Sequence, residues 1–212
     1  MASFQKGILG GFSGKVGTVI GGNWKGIDYM RSKGVNGNKN PTLPQLTQQL
    51  KFKLCINFVQ TMAGLVAISF KPFAVQKTGI NSALSYTLQN AVTGVYPLFT
   101  INYPSVLVSR GDLPNALGPS VVMGAGSLLT YSWTDNSGVG NAAPNDKAIL
   151  AIFCAAFNQC IYTTIGADRN AITDTITLTT FAGQVVETYI GFISANGKSV
   201  ATSIYTGQVT VS

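Results

Sequence analysis

No histidine occurs in this 212-residue chain. The commonest general base and the commonest metal ligand near neutral pH are therefore missing, and most hydrolase constellations go with them. Charge is scarce too: 10% of residues are Asp, Glu, Lys or Arg, against about 25% in an average soluble domain. Either Thr, Ser, Asn and Gln solvate the surface, or much of it is covered by other subunits, as in a filament, shell or tube. Three cysteines, Cys55, Cys154 and Cys160, make neither a disulfide framework nor a zinc spacing. Buried reduced thiols are the expectation, and a Cys154–Cys160 bridge across a hairpin is the alternative. Long apolar runs are also lacking. The most apolar window, Cys55–Phe70, is interrupted by Asn57 and Gln60 and is too short to span a bilayer. The start MASFQKGILGGFSG is broken by glycine before a signal-peptide core develops. These absences predict a chain made in the cytoplasm and soluble until it assembles, with no cofactor, no metal and no catalytic residues.

Glycine, by contrast, is plentiful. From Lys6 to Lys33 the sequence KGILGGFSGKVGTVIGGNWKGIDYMRSK sets eight glycines among Lys15, Lys25, Arg31 and Lys33, with Phe12, Trp24 and Tyr29 between them. Glycine lets another backbone approach closely, and basic and aromatic side chains supply charge and stacking area. Lys15, Trp24, Lys25, Tyr29, Arg31, Lys33 and Lys39 are therefore the candidate contacts for another subunit or an anionic partner. Loose alternation about Gly21-Gly22-Asn23 predicts two short strands and a glycine turn. Trp24, Gly26, Asp28 and Met30 would then share one face, and Lys25, Ile27, Tyr29 and Arg31 the other. The alternative is a twisted hairpin whose glycines serve only its bends. A P-loop is excluded, because Val16 follows Gly14-Lys15 where Ser or Thr is required.

The net charge of +7 is unevenly placed. Residues 1–112 carry eleven Lys/Arg against Asp28 and Asp112, a balance of +9. Residues 113–212 carry three against five acidic residues, a balance of −2. A basic half joined to a slightly acidic one suggests that the first half meets something anionic, or that copies associate head to tail.

Beyond the linker GVNGNKNP, the order Thr42, Pro44, Gln45 predicts a capped helix start. Leu46, Leu50, Leu54, Phe58 and Met62 then form one apolar stripe, giving a helix to about Met62 or past Gly64. A second helix is expected from about Asn81 to Thr93, with Thr78 near its start and Gly94 as its stop. The two would form a hairpin covering the glycine-rich strands or a neighbouring subunit. Phe99–Arg110 is strand-like, with Pro104 as a break, and NALGPS at 115–120 is the best domain boundary. After it, strands are expected at Ser120–Met123, Leu128–Thr134, Ala148–Ala155, Cys160–Thr164, Ile172–Leu178, Val185–Ser194 and Thr202–Val211, which together read as a β-sandwich. The expected layout is an α+β N-terminal part, with a basic hairpin or arm at 1–40 and a helical hairpin with edge strands at 41–115, then an all-β sandwich at 116–212. Asp28, Asp112, Asp135 and Asp146 are the carboxylates placed to act, yet none has a matched partner. Asp112 and Asp146 fit turns instead.

Two resemblances follow. LLTYSWTD, with Trp133, and ETYIGFISANGKSVATSIYTG, with Tyr189, resemble the second strand and last hairpin of a fibronectin type III, immunoglobulin-like sandwich, implying that Trp133 and Tyr189 lie in its core. The pattern departs at Phe181-Ala182-Gly183, which replaces the usual leucine-proline approach. Over the whole chain, GKVGTVIGGNWKGIDYMRS, NPTLPQLTQQLKFKL, ALSYTLQNAVTG, VLVSRGDL, YSWTDN, DKAIL and YIGFISANGK resemble an uncharacterised domain-of-unknown-function family of small bacterial and phage-associated proteins. That resemblance implies a virion or assembly role by association only. The expected function is thus a non-enzymatic structural protein of a phage or phage-like particle, self-associating through its basic half and displaying a sandwich. The alternatives are nucleic-acid binding by the basic arm and a surface-adhesion or carbohydrate-binding module.

Overall fold

The computed structural model describes residues 3–4, 10–34, 40–74 and 76–212. It divides into two compact units, Met1–Gln45 and Leu46–Ser212. The segment 115–120 lies inside the second unit.

The first unit is a four-stranded antiparallel sheet in the order β1 (Ser3–Phe4), β2 (Phe12–Val16), β3 (Val19–Trp24), β4 (Ile27–Ser32). The expected turn at Gly21-Gly22-Asn23 is instead the middle of β3. The chain reverses at Gly17-Thr18 and at Lys25-Gly26, where positive φ is required: 59° at Gly17, 49° at Lys25 and 84° at Gly26. Two central residues of positive φ make the hairpin turn whose twist matches its strands. Asn23 holds it closed, its Oδ1 accepting from the Gly26 N–H at 3.1 Å and its Nδ2 donating to Asp28 at 2.7 Å.

The second unit has three layers. Strands β7 (Leu117–Met123), β8 (Leu128–Thr134) and β11 (Thr173–Thr177) form one sheet in the order β11-β8-β7. Strands β9 (Lys147–Cys154), β10 (Gln159–Thr163), β12 (Val185–Ile193) and β13 (Ile204–Thr210) form the other, in the order β10-β9-β12-β13. All seven expected strands are present, each within three residues of its expected ends. Between the sheets lie Leu129, Tyr131, Trp133, Leu150, Ile152, Phe181, Ile190 and Phe192.

The outer face of the four-stranded sheet is covered by helices α1 (Leu43–Gln60), α2 (Ala63–Ser69) and α3 (Gly79–Asn90). Phe58, Val59, Met62, Leu65, Val66, Phe70 and Ala83 meet Ile149, Ala151, Phe153 and Tyr189 in a second core. This explains why β9 and β12 are apolar at nearly every position, because both of their faces are buried. The helices thus cover the sandwich sheet.

The single long helix expected from Thr42 is two helices meeting at 87°. The Thr61 hydroxyl donates to the Phe58 carbonyl at 2.7 Å, and the Thr61 and Met62 N–H groups reach back only three residues, so the helical ladder closes early. The capping signal itself holds, with Gln45 Oε1 accepting from the Thr42 N–H at 2.9 Å. At α3 the Thr78 hydroxyl caps the Asn81 N–H at 3.2 Å. That helix ends at Asn90, and Gly94 belongs to a hairpin of β5 (Val92–Val95) and β6 (Leu98–Ile101). Pro104 sits in a 3-10 turn, Tyr103–Ser105, that ends the expected strand. Among the described residues no single helix is long and apolar enough to cross a membrane, although α1 and α2 together have the length.

All three cysteines are free. Cys154 faces the inter-sheet core while Cys160 packs against the helical core, so the two thiols lie on opposite faces of one sheet and cannot bridge. Burial pushes the Cys55 thiol up to about 11 and that of Cys160 to about 12.

Candidate functional site

The register of the N-terminal sheet decides which side chains act together. Opposed residues of an antiparallel pair share a face. The pairs Lys15↔Ile20, Ile20↔Arg31, Gly22↔Tyr29 and Trp24↔Ile27 therefore gather Lys15, Ile20, Trp24, Ile27, Tyr29 and Arg31 on one face. The opposite face carries Val16, Val19, Asn23, Asp28, Met30 and Ser32 through Val16↔Val19, Val19↔Ser32, Gly21↔Met30 and Asn23↔Asp28. The expected grouping of Trp24 with Asp28 and Met30 is corrected: the two-residue turn at Lys25-Gly26 resets the alternation.

Four of the seven candidate contacts, Lys15, Trp24, Tyr29 and Arg31, thus share one exposed face. Lys25 sits in the turn at its end, and Lys33 follows β4, its N–H donating to the Thr18 carbonyl at 2.7 Å. Lys39 lies outside the described residues.

The glycines of β3 have a definite role. A Cβ on Gly22 would lie 2.9 Å from the Tyr29 hydroxyl and 3.0 Å from its Cζ, so the Tyr29 ring lies across the Gly22 backbone. On the other face, a Cβ on Gly21 would collide with the Phe12 ring and carbonyl. One on Gly11 would collide with the Asp28 carboxylate, which therefore lies against the Gly11 backbone. A hollow of about 250 Å³ lies there, lined by Gly10, Gly11, Phe12, Asp28, Tyr29 and Met30. Among the described residues, neither face forms a core of the kind seen in the second unit. Trp24 is 53% exposed, Tyr29 45%, Val16 48% and Met30 73%.

In the sandwich, Trp133 is buried as expected, its ring edge-on to Phe192 with centroids 5.5 Å apart. Its Nε1 donates to the Arg169 carbonyl at 2.7 Å. Tyr189 is buried too, but on the helical side of its sheet, its hydroxyl donating to the Tyr103 carbonyl at 3.0 Å. Its placement between the sheets is therefore corrected, since the turn of the strand directs it outward.

Arg169 gave no signal in the sequence and is the largest fully buried side chain. It donates to Asp146 at 3.1 Å, to Asn136 at 2.7 Å and to the Pro114 carbonyl at 3.1 Å, and its guanidinium lies 4.0 Å from the Phe192 centroid. Burial pulls the guanidinium below its ordinary value, and Asp146 opposes that. This clasp fixes the loop between β8 and β9 at one end of the sandwich. A polar cleft of about 470 Å³ opens there between Asn141, Asn145 and Asp146 on that loop and Ser194, Asn196 and Ser199 on the loop after β12.

Asp146 and Asp135 also serve turns. Asp146 accepts from the Ala143 N–H at 2.9 Å. Asp135 accepts from the Ser137 N–H at 2.9 Å, a bond that lowers its carboxyl below the ordinary value. Among the described residues, no group of three or more Cys, Asp or Glu could hold a metal ion.

A family model described as "Family of unknown function (DUF6266)" matches residues 11–207, from the start of the glycine-rich sheet to β13. The chain belongs to the DUF6266 family. No curated protein matches it significantly. Among solved structures it is similar to the solution structure of the fn3 domain of the human collagen alpha-1(XX) chain, at 10% identity and a TM-score of 0.36, covering 49% of this chain and 90% of that one. In this DUF6266 chain the sandwich is established by strand order and register rather than by that likeness.

Proposed function

We propose that this DUF6266 chain is a non-enzymatic structural protein that self-associates through its N-terminal sheet and displays its sandwich, the finer type of which is fibronectin type III-like by strand order. The observation that carries the reading is the Met30 face. Val16, Val19 and Met30 are exposed there, and among the described residues that face bears Asp28 but no lysine or arginine. Two copies meeting through it bury apolar area without opposing the cations of the other face. A phage or phage-like particle is the proposed setting, on the whole-chain resemblance to a family of small bacterial and phage-associated proteins.

The test is light scattering coupled to size exclusion on the full chain. A mass well above the 22.3 kDa of one chain, lowered by Met30→Lys, supports the reading; a monomer at every concentration refutes it. The cleft beside Asp146 favours a second reading, a carbohydrate-binding or surface-adhesion module, because Asn and Ser side chains from two loops, one of them held by Arg169, suit a polyhydroxyl ligand. Glycan-array binding that Asn145→Ala abolishes would support it, and an empty array would refute it.

A further inference from the structure

We propose that the opposite face of the same sheet, the one bearing Trp24, Tyr29, Lys15 and Arg31, binds single-stranded nucleic acid. The inference is independent of self-association, which uses the Met30 face.

Three observations converge. First, the Tyr29 ring lies across Gly22, where there is no side chain to lift it. With its hydroxyl end resting on that glycine the ring stays 45% exposed, leaving surface on which a base can stack. Second, Trp24 is diagonal to Tyr29 on the neighbouring strand, since Trp24 pairs with Ile27 and Gly22 with Tyr29. Diagonal neighbours stand about 7–8 Å apart, about twice the 3.4 Å rise of stacked bases, so the two rings accept adjacent, unstacked bases. Third, Lys15 and Arg31 flank the rings on the same face, both opposite Ile20. Lys33 follows β4 and Lys25 closes the β3–β4 turn. Residues 1–45 carry six basic residues against Asp28 alone, and the register places Asp28 on the other face. The cationic surface therefore matches a polyanion whose bases can reach the rings. A duplex hides its bases' faces and a lipid headgroup has none, so a single strand is the occupant that uses both features.

The test uses the full chain and an oligothymidylate of about a dozen nucleotides. Trp133 is buried, so stacking on Trp24 reads out as quenching of the exposed tryptophan signal. Expected results are saturable quenching, affinity for the single strand well above that for duplex of equal length, and a log–log salt slope near −3, about −0.7 for each of four phosphate contacts. Tyr29→Ala should weaken binding roughly tenfold or more, and Arg31→Gln should flatten the slope by about 0.7. Anisotropy of a labelled oligonucleotide reads the same binding in Trp24→Phe, where the fluorescence probe is lost but a ring remains. No binding at low salt, equal affinity for duplex, affinity unchanged in Tyr29→Ala, or binding to phosphatidylserine vesicles in place of the oligonucleotide would each overturn the proposal. Oligomer size is measured in the same samples, so failure here is distinguishable from failure of the assembly reading.

Discussion

The two units solve the burial problem in opposite ways. In the second, β9 and β12 are covered on both faces, by the three-stranded sheet and by the helices, and even an arginine is enclosed with every contact fixed. In the first, β4 is exposed at all six positions, and β3 is held by turn geometry, a ladder of hydrogen bonds and two aromatic rings lying over glycine. Hydrophobic burial is the dominant favourable term in folding, so a sheet that hides so little gains little from it. The contrast teaches where burial resides: the sandwich is covered on both faces of its central strands, and the N-terminal sheet leaves its aromatic and apolar side chains exposed.

The largest expected effect should fall on the sandwich alone. Arg169→Ala leaves Asp146 buried without its cation and removes the donors that hold Asn136 and Pro114. The loss should be about 3–5 kcal/mol, read as a lower urea midpoint for the sandwich, with the N-terminal sheet unaffected. A shift of a few tenths would mean that the clasp is not the anchor of that end.

Gly21→Ala sharpens the comparison from the other side. The added methyl meets the Phe12 carbonyl, main-chain atoms that cannot swing away. Overpacking of this kind costs about 1–3 kcal/mol. Amide exchange in β2 and β3 should accelerate while the urea transition of the sandwich stays where it is. Movement of both units together would break the comparison.

The smallest effect is alkaline. A thiol whose folded value is raised by burial favours folding fully below its ordinary 9.0, and that contribution is lost as pH rises toward the folded value. With Cys55 raised to about 11 and Cys160 to about 12, stability of the second unit should decline from about pH 9 upward. Burial raises Tyr131 and Tyr189 as well, extending the decline. Urea midpoints between pH 8 and 11 test this, and Cys55→Ala should flatten the curve. A flat wild-type curve would contradict it.

Much of this fold was legible because local signals and burial agree. Strands β7 to β13 alternate or run apolar between clear turns, and Thr78 and Gln45 mark helix starts that their hydrogen bonds confirm. What could not be read came from long-range competition. Glycines at 21 and 22 look like a turn, yet positive φ falls at Gly17, Lys25 and Gly26, because Asn23 and Asp28 close the second hairpin elsewhere. That shift moved Trp24 to the face of Tyr29 and Arg31, so Trp24 was grouped with the wrong face. Arg169 was invisible because its partners lie 23 to 55 residues away. Tyr189 was read as inter-sheet core because nothing local reveals a helical layer on the outer face.

Amide hydrogen exchange of β3 and β4, followed as a function of protein concentration and of added oligothymidylate, tests the central claim most directly. The account predicts fast exchange at Val19–Trp24 and Ile27–Ser32 in dilute protein, and protection that rises as copies or oligonucleotide cover the sheet, while β9 and β12 stay protected throughout. Full protection of both N-terminal strands in an isolated monomer, unchanged by either addition, would contradict it.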